Sequence, residues 1–256
     1  MKVAILSDIH SNLEALNACL AHARSQDAEQ YVFLGDLVGY GADPVACLDI
    51  IQEHALDGAV VLLGNHDEAA ISDQYKKIEV MNFVARDAIY WTRSQLREDQ
   101  RVFLQDLPLT VQDGNALYVH ASADEPSRWR YVTGGRDAAR SMAAAETAYT
   151  FAGHVHHAML YFRMAGQRVT DQNAARSFQP TPGMPIPVGL TRQWLAIVGS
   201  VGQPRDGNNA AAYVIMDYAN STLTFHRVPY DYMTTARKII AAGLPERLAH
   251  RLEHGR

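Results

Sequence analysis

Side chains that can bind a metal ion fall in short clusters, which are widely separated along the chain. Their members are Asp8, His10, Asp36, Asn65, His120, His154 and His156. The chain has eleven histidines but only two cysteines, so metal chemistry here has to rely on imidazole, amide and carboxylate ligands rather than thiolates. A mixed nitrogen and oxygen set of this kind suits Mn, Fe, Zn or Ni. The residue types therefore indicate metal-assisted chemistry.

Each cluster comes at or just after the end of a predicted strand. Short apolar and β-branched runs predict these strands at 3–6, 31–34, 59–63, 116–119 and 149–152. Strand ends of an α/β sheet meet at one edge, where the following loops build ligand sites. We therefore expect side chains that are far apart in sequence to converge on one cleft.

Taken singly, most of the clusters also fit plain structural roles. Asp8 and His10 could be a helix cap and a surface histidine, and Asp36 could accept backbone amides in a turn. A single His120 fits a buried, hydrogen-bonded histidine equally well. The pair His154 and His156 is more specific, because alternate residues of an extended segment point the same way.

Helical patterns separate the first three strands. Leu13, Leu16 and Leu20 share one helical face, and Pro44 can open a second helix. This β-α-β-α-β order predicts a largely parallel sheet with helices packed on it. A continuous amphipathic pattern then predicts helix over 74–107, and an alanine-rich helix is predicted over 136–148.

The second half of the chain has a different pattern. Strands are predicted at 160–162, 194–198, 212–216 and 223–228, joined by loops without helices. This pattern predicts a second, more antiparallel sheet. The proline-rich segment 180–187 predicts a surface loop. Since no long linker interrupts the pattern, we expect a single domain over residues 1–256.

The composition excludes several classes of protein. A net charge of -5 argues against a binder of duplex nucleic acid. The chain has no apolar run near the ~20 residues that span a bilayer, and its first residues turn polar too early for a signal peptide. Cys19 and Cys47 lie among apolar helical residues, which argues against a disulfide framework. We expect a cytoplasmic protein without a membrane partner, and a homo-oligomer remains open.

In their order along the chain, the clusters resemble the signature of the calcineurin-like metallophosphoesterase superfamily. The matching motifs are Asp8-x-His10, Gly35-Asp36, Gly64-Asn65-His66-Asp67, His120 and Gly153-His154-Val155-His156. Residues 35–44 and 199–207 are similar to the bacterial and archaeal small phosphodiesterase branch. Ile197 and Val198 stand where that branch commonly has Asn-Pro, so any contact from that asparagine is missing here.

The resemblance implies an α/β fold (α+β in some schemes), a four-layer α-β-β-α sandwich with two facing mixed sheets. It also implies a dinuclear metal centre at the strand ends. One divalent ion would be held by Asp8, His10, Asp36 and His156. The other would be held by Asp36, Asn65, His120 and His154, with Asp36 bridging the two. Mn is the expected metal, and Fe, Zn or Ni are alternatives.

The family's chemistry would be in-line attack on phosphorus by a hydroxide that bridges the two metals. His66 would then donate a proton to the leaving oxygen or stabilise its charge. Asp67 would orient His66 by accepting a hydrogen bond from its other ring nitrogen.

Arginines are the candidates for substrate contacts. Arg128 and Arg130 flank Trp129 and could hold a distal phosphate or stack on a base, although a solvated loop fits equally well. Arg205 could point into the same cleft or pair with Asp206.

The function that the resemblance implies is hydrolysis of phosphate esters, with phosphodiesters preferred. The substrate would be a small phosphate ester or a nucleotide. A dinucleoside polyphosphate hydrolase and a protein phosphatase are alternatives within the same class. A non-catalytic metal-binding scaffold is the alternative from another class, and loss of His66 or of a ligand would favour it. All of these positions are filled here.

Overall fold

The computed structural model describes residues 1–72, 79, 81–166 and 174–256. Two six-stranded mixed sheets form the centre of this part of the chain. The first sheet contains, in spatial order, β3 (Val60–Val61), β2 (Gln30–Phe33), β1 (Lys2–Leu6), β11 (Ala211–Asp217), β12 (Thr222–Val228) and β9 (Ile186–Pro187). Strands β1, β2 and β3 run parallel, and the other neighbours are antiparallel.

The second sheet repeats this plan. It contains, in spatial order, β4 (Thr110–Asp113), β5 (Ala116–Val119), β6 (Tyr149–Ala152), β10 (Arg192–Ile197), β7 (Met159–Met164) and β8 (Arg176–Phe178). Strands β5, β6 and β10 run parallel, and antiparallel strands flank them on both sides. Each sheet therefore presents three parallel strand ends at one edge.

The helices are distributed over the whole chain. Those of the described residues are α1 (Leu13–Ser25), α2 (Pro44–Leu56), α3 (Asn65–Ile71), α4 (Phe83–Gln95), α5 (Glu98–Gln105), α6 (Gly135–Ala145), α7 (Tyr232–Ala241) and α8 (Glu246–His254). A short 3₁₀ helix covers Pro126–Arg128. None of the described helices is long and apolar enough to cross a membrane.

Alternation along β1 shows how the layers are built. Val3 and Ile5 belong to a buried cluster that also holds Phe151 and Trp194 of the second sheet, so the two sheets face each other. Their neighbour Leu6 packs instead against the helices on the outer face of the first sheet. Successive strand residues point to opposite faces, and β1 is buried on both because both faces are covered.

The outer face of the second sheet is covered by α6. Val119 and Leu195 pack there against Ala138 and Met142 of that helix. Together with the helices on the first sheet, this gives the order helix, sheet, sheet, helix. The predicted four-layer α-β-β-α sandwich with two facing mixed sheets is thereby confirmed.

The sequence pattern suggested that the late strands form a sheet of their own, but the structure divides them between the two sheets. Strands β7 and β10 lie in the second sheet, whereas β11 and β12 lie beside β1 in the first. Residues 186–187, inside the predicted proline-rich loop, pair with β12 as a short edge strand. Hydrophobic alternation predicts a strand but not its partner, which explains why the assignment to sheets was wrong.

The continuous helix predicted over 74–107 is also wrong, because the described part of this segment forms two helices. Residues 74–78 and 80 lie outside the described residues, and the remainder forms α4 and α5 with an extended break at Leu96 and Arg97. Ile89, Leu96 and Leu104 of this segment are buried, whereas Phe83 is 62% exposed. The alanine-rich helix is confirmed in its centre and ends at Ala145.

Helices α7 and α8 were not predicted at all. Leu248 and Leu252 of α8 are buried in a cluster with Tyr40 and with Val84 of α4. Helix α7 is tied to α1 by the Thr235 hydroxyl, which donates to the carboxylate of Glu14 at 2.8 Å. The end of the chain therefore packs beside the loop that follows β2.

We predict that Leu248→Ala lowers the free energy of unfolding by about 2–5 kcal/mol, since it leaves a cavity between α8 and α4. Denaturant unfolding followed by circular dichroism measures the change. His250→Ala on the exposed face of the same helix should change the value by less than about 0.5 kcal/mol. Equal stability of the Leu248 variant and the parent would show that α8 does not dock as described.

Candidate metal centre

The candidate ligands meet where the parallel strands of both sheets end. Asp8 follows β1, Asp36 follows β2, and Asn65 opens α3 after β3. His120 and His154 follow β5 and β6 of the second sheet. The centre therefore lies where the strand ends of the two sheets meet, with both carboxylates from the first sheet and imidazoles from both sheets, since His10 also follows β1.

One group of possible ligands consists of Asp8, His10, Asp36 and His156. Their ligand atoms lie within 4.8 Å of one another, and all four side chains are buried. His156 Nε2 lies 3.2 Å from His10 Nε2 and 3.2 Å from Asp8 Oδ1. Four donor atoms this close could hold one cation.

A second group consists of Asp36, His120 and His154, again with ligand atoms within 4.8 Å of one another. His120 Nε2 lies 3.2 Å from His154 Nδ1. The side-chain oxygen of Asn65 lies 3.2 Å from the same His120 atom. The seven residues singled out in the sequence are thus brought together in two adjoining groups.

Asp36 belongs to both groups. Its Oδ2 lies 3.6 Å from His10 Nε2 and 3.4 Å from His120 Nε2. Its Oδ1 accepts a hydrogen bond of 2.8 Å from the backbone N–H of His66. One oxygen is therefore held by α3, while the other faces both groups.

Backbone contacts orient three of the four histidine rings. The Nδ1–H groups of these rings donate to carbonyl oxygens, at 3.1 Å for His10 and Val38, 3.1 Å for His120 and Leu34, and 2.6 Å for His156 and Gln203. In the neutral form of each ring, Nε2 carries a lone pair directed into the cluster, which is the tautomer that a metal ligand needs.

The charges of the cluster also suit cations. Although burial opposes it, the neighbouring His120 and His66 hold the pKa of Asp36 well below its usual value, so its carboxyl is ionised. Burial lowers the pKa of His154 to about 3, which leaves that ring neutral. His154 Nε2 is buried without a hydrogen-bond partner. Ionised carboxylates and neutral imidazole lone pairs converging on one place fit a pair of divalent ions.

The backbone is strained where it presents these side chains. The φ angles are positive at Asp8 (55°), His10 (48°), Asp36 (52°), His154 (64°) and His156 (62°). Residues other than glycine rarely adopt this region, at a cost of about 1–3 kcal/mol each. Such strain persists only where the surrounding structure enforces it, and it is typical of functional sites.

Two glycines allow the strand ends to approach each other. A Cβ atom on Gly64 would collide with Asp36, and one on Gly153 would collide with Ser7 and Asp8. The backbone N–H of His154, next to Gly153, can therefore donate to Asp8 Oδ2 at 3.0 Å. This explains why glycine precedes Asn65 and His154 in the motifs.

His66 lies beside the cluster, but Asp67 does not orient it. The His66 ring contacts Tyr40, with centroids 4.5 Å apart, and its Nδ1 has no hydrogen-bond partner. The Asp67 carboxylate instead accepts from the backbone N–H groups of Val38 at 3.0 Å and Gly64 at 2.9 Å. The expected hydrogen bond to His66 is wrong, because Asp67 occupies the third position of α3 and reaches back to cap that helix.

The three candidate arginines differ in position. Arg130 pairs with Asp124 at 3.1 Å. Arg128 is 64% exposed and pairs with Glu125 at 2.9 Å. Arg205 is close to the cluster, with its guanidinium carbon 5.7 Å from the centre of the Tyr40 ring. Asp206 pairs with Arg227 instead of Arg205.

Sequence reasoning missed an aromatic wall beside His154. Tyr131 stacks on the His154 ring with centroids 4.0 Å apart. Trp129 lies edge-on to His120 and donates from its indole N–H to Glu68 at 3.1 Å. Both line a cavity of about 350 Å³ that reaches His154. The available signal was the pair of aromatic residues Trp129 and Tyr131 beside the candidate arginines Arg128 and Arg130.

Known proteins are similar to this chain in sequence and in fold. A model described as a calcineurin-like phosphoesterase superfamily domain matches residues 1–221. An uncharacterized protein of Methanocaldococcus jannaschii is 31% identical over 261 residues, which cover 99% of this chain and 98% of that protein.

Two solved structures are similar over their whole length. The crystal structure of a metallophosphoesterase from Sphaerobacter thermophilus is 35% identical, covers 100% of both chains and has a TM-score of 0.86. A hypothetical protein from Pyrococcus horikoshii OT3 has a TM-score of 0.79 at 20% identity, and the match covers 100% of this chain and 98% of that one.

We predict that Asp36→Asn removes paired metal binding, because a neutral amide lacks the negative charge with which the carboxylate of Asp36 faces both groups. Protein loaded with Mn and dialysed should retain two ions per chain in the parent and fewer in the variant, measured by elemental mass spectrometry. Asp87→Asn, which changes an exposed carboxylate on α4, is the control and should match the parent. Two ions per chain in the Asp36 variant would disprove the shared role.

Proposed function

The chain belongs to the calcineurin-like phosphoesterase superfamily, and on that premise we propose that it hydrolyses phosphodiesters at a dinuclear centre held by the seven candidate ligands. The protein is a metal-dependent hydrolase of phosphate esters. The preference for diesters and the role of each residue are the new elements of the proposal.

The proposed ligands follow the two groups of donor atoms. Asp8, His10, Asp36 and His156 would hold one ion. Asp36, His120 and His154 would hold the other, together with the side-chain oxygen of Asn65. Two divalent ions, when bound, supply a water nucleophile at neutral pH and positive charge for the phosphate oxygens. We propose Mn as the native metal, since the mixed nitrogen and oxygen donors suit it.

His66 is the proposed proton donor to the leaving oxygen. It belongs to neither group of ligand atoms, yet its ring centroid lies 4.9 Å from that of His10. Its Nδ1 is buried against Gly39, where a Cβ would be only 2.7 Å away, so we assign the proton transfer to Nε2. Burial lowers the pKa of His66 to about 4. An anionic ester bound beside the ring would raise this pKa and favour the proton-bearing form.

The observation that carries the diester preference is a pair of cavities, one lined by His154 and the other by Tyr40, whose ring centroid lies 4.7 Å from that of His10. One, of about 350 Å³, is lined by Trp129, Tyr131 and His154. The other, of about 250 Å³, is lined by Tyr40 and Arg205. A phosphodiester carries an organic group on each side of phosphorus, whereas a monoester carries one. Two cavities therefore match the shape of a diester.

Two broader expectations also remain proposals. We propose that residues 1–256 form a single domain, which is supported by the full-length match to the Sphaerobacter thermophilus structure and by the packing of α8 against Tyr40 and Val84. We also propose a cytoplasmic location, which fits the free thiols of Cys19 and Cys47.

We predict that the Mn-loaded protein hydrolyses bis-p-nitrophenyl phosphate with a kcat/KM about tenfold or more above that for p-nitrophenyl phosphate, a difference of about 1.4 kcal/mol in barrier. Release of p-nitrophenolate measures both reactions. The Asp36→Asn protein, purified in the same way, controls for contaminating phosphatases and should hydrolyse neither ester. Faster hydrolysis of the monoester would contradict the proposed preference.

We predict that His66→Ala lowers kcat by about 10²–10⁴-fold while the metal content stays that of the parent. The loss should be larger for a phenyl ester than for a p-nitrophenyl ester, because the less acidic leaving group depends more on a proton donor. His254→Ala, which changes an exposed histidine of α8, should leave kcat unchanged. An equal loss for both leaving groups would contradict proton donation and indicate a role in binding.

A further inference from the structure

The cavity beside Tyr40 has three arginines in its wall. Arg205 comes from the loop after β10, and Arg247 and Arg251 come from α8. Val84 of α4 closes another side. The cavity measures about 250 Å³, which is large enough for a phosphate group and its hydration.

The positive charge of this wall has no acidic side chain as a partner among the described residues. Arg205 Nη2 and Arg251 Nη1 both donate to one neutral acceptor, Gln203 Oε1, at 2.9 Å each. Arg251 Nε donates to the main-chain oxygen of Arg256. Within the described chain no side-chain carboxylate forms an ion pair with Arg205, Arg247 or Arg251. Burial, reinforced by the charge of Arg205, lowers the pKa of Arg251 to about 10. Like charges gathered in this way are costly, and a bound anion would relieve that cost.

The same residues connect the cavity to the candidate metal centre. The backbone oxygen of Gln203 accepts the Nδ1–H of His156 at 2.6 Å, and the backbone N–H of Arg205 donates to the carbonyl of His156 at 3.1 Å. Tyr40 separates the arginines from His66, whose ring centroid is 4.5 Å from that of Tyr40. The Tyr40 side chain therefore lies between the arginine wall and His66, the proposed proton donor.

We propose that this cavity binds a second phosphate of the substrate, so that the preferred substrates are phosphodiesters that carry an additional terminal phosphate. Guanidinium groups bind phosphate through paired charge-assisted hydrogen bonds, and three of them here face a cavity of suitable size. Hydrolysis of such a substrate rests on the proposed function, whereas binding of phosphate to the arginines does not.

Helix α8 supplies two of the three arginines of this subsite. Arg247 and Arg251 are four residues apart and share one helical face, while Leu248 and Leu252 are buried against α4 and Tyr40. The family match ends at residue 221, before α8 begins at Glu246. The centre therefore lies within the matched domain, and two of the three arginines lie outside it.

Binding of inorganic phosphate to protein kept metal-free by a chelator tests the subsite without any turnover. Isothermal titration calorimetry should show binding to the parent and about tenfold weaker binding to Arg247→Gln and to Arg251→Gln. Arg251→Lys, which keeps the charge, should lose less affinity than Arg251→Gln. Arg140→Gln, an exposed arginine of α6, is the control. Equal affinities of the parent and the Arg247 variant, or no binding to the parent, would overturn the inference.

A matched pair of esters tests the choice of substrate. The p-nitrophenyl ester of thymidine 5′-phosphate is compared with the same ester bearing a 3′-phosphate, using Mn-loaded protein. The parent should prefer the 3′-phosphorylated ester, and Arg247→Gln should reduce the ratio of the two kcat/KM values about tenfold. An unchanged ratio in that variant would refute the subsite. If neither ester is hydrolysed but phosphate binding still depends on Arg247, the proposed function fails and the anion subsite stands.

The melting temperature of each variant is measured alongside both experiments, because Arg251 is partly buried and its substitution can lower the stability of the fold. Arg247 is exposed on α8, so its variant is expected to keep the melting temperature of the parent. The conclusions therefore rest on Arg247→Gln wherever Arg251→Gln unfolds at a lower temperature.

Discussion

The shared carboxylate of Asp36 is the constraint on which the rest of the site depends. A buried carboxylate is costly unless it is hydrogen-bonded and balanced by positive charge. One oxygen is held by the backbone N–H of His66, while the other faces His10 and His120 from two different sheets. Gly64 is required because any side chain there would collide with Asp36. The sequence motifs of the chain therefore supply the residues that surround the Asp36 carboxylate.

The two-sheet architecture explains how such a site can be held rigidly. The first sheet places Asp8 and Asp36, and the second places His120 and His154, so the distances between ligands depend on the packing of the sheets. That packing is an apolar core of strand side chains from both sheets. It also holds five strained residues in left-handed backbone conformations. Burial in the core thus stabilises a geometry that the local chain would not adopt alone.

The surroundings of the centre differ on its two sides, and this difference bears on substrate choice. Trp129 and Tyr131 form an aromatic wall near His154, whereas arginines from α8 and the loop after β10 form a basic wall near Tyr40. Stacking surfaces suit an aromatic or nucleoside group, and guanidinium groups suit phosphate. Between these walls the ligands themselves would be common to many phosphoesterases, so selectivity would come from the walls.

The sequence by itself determined the ligand types and their placement at strand ends, since clusters that each follow a buried strand, such as β1 or β2, favour one common site over separate structural roles. The four layers were implied by the resemblance to the family, whereas the residue pattern alone predicted a largely parallel sheet with helices packed on it and a second, more antiparallel sheet. Only the tertiary structure decided that β11 and β12 join the first sheet, that Asp67 caps α3 instead of orienting His66, and that α8 supplies two arginines to the cavity. Periodicity records which face of an element is buried, but the partner that covers that face is set by contacts between residues distant in sequence.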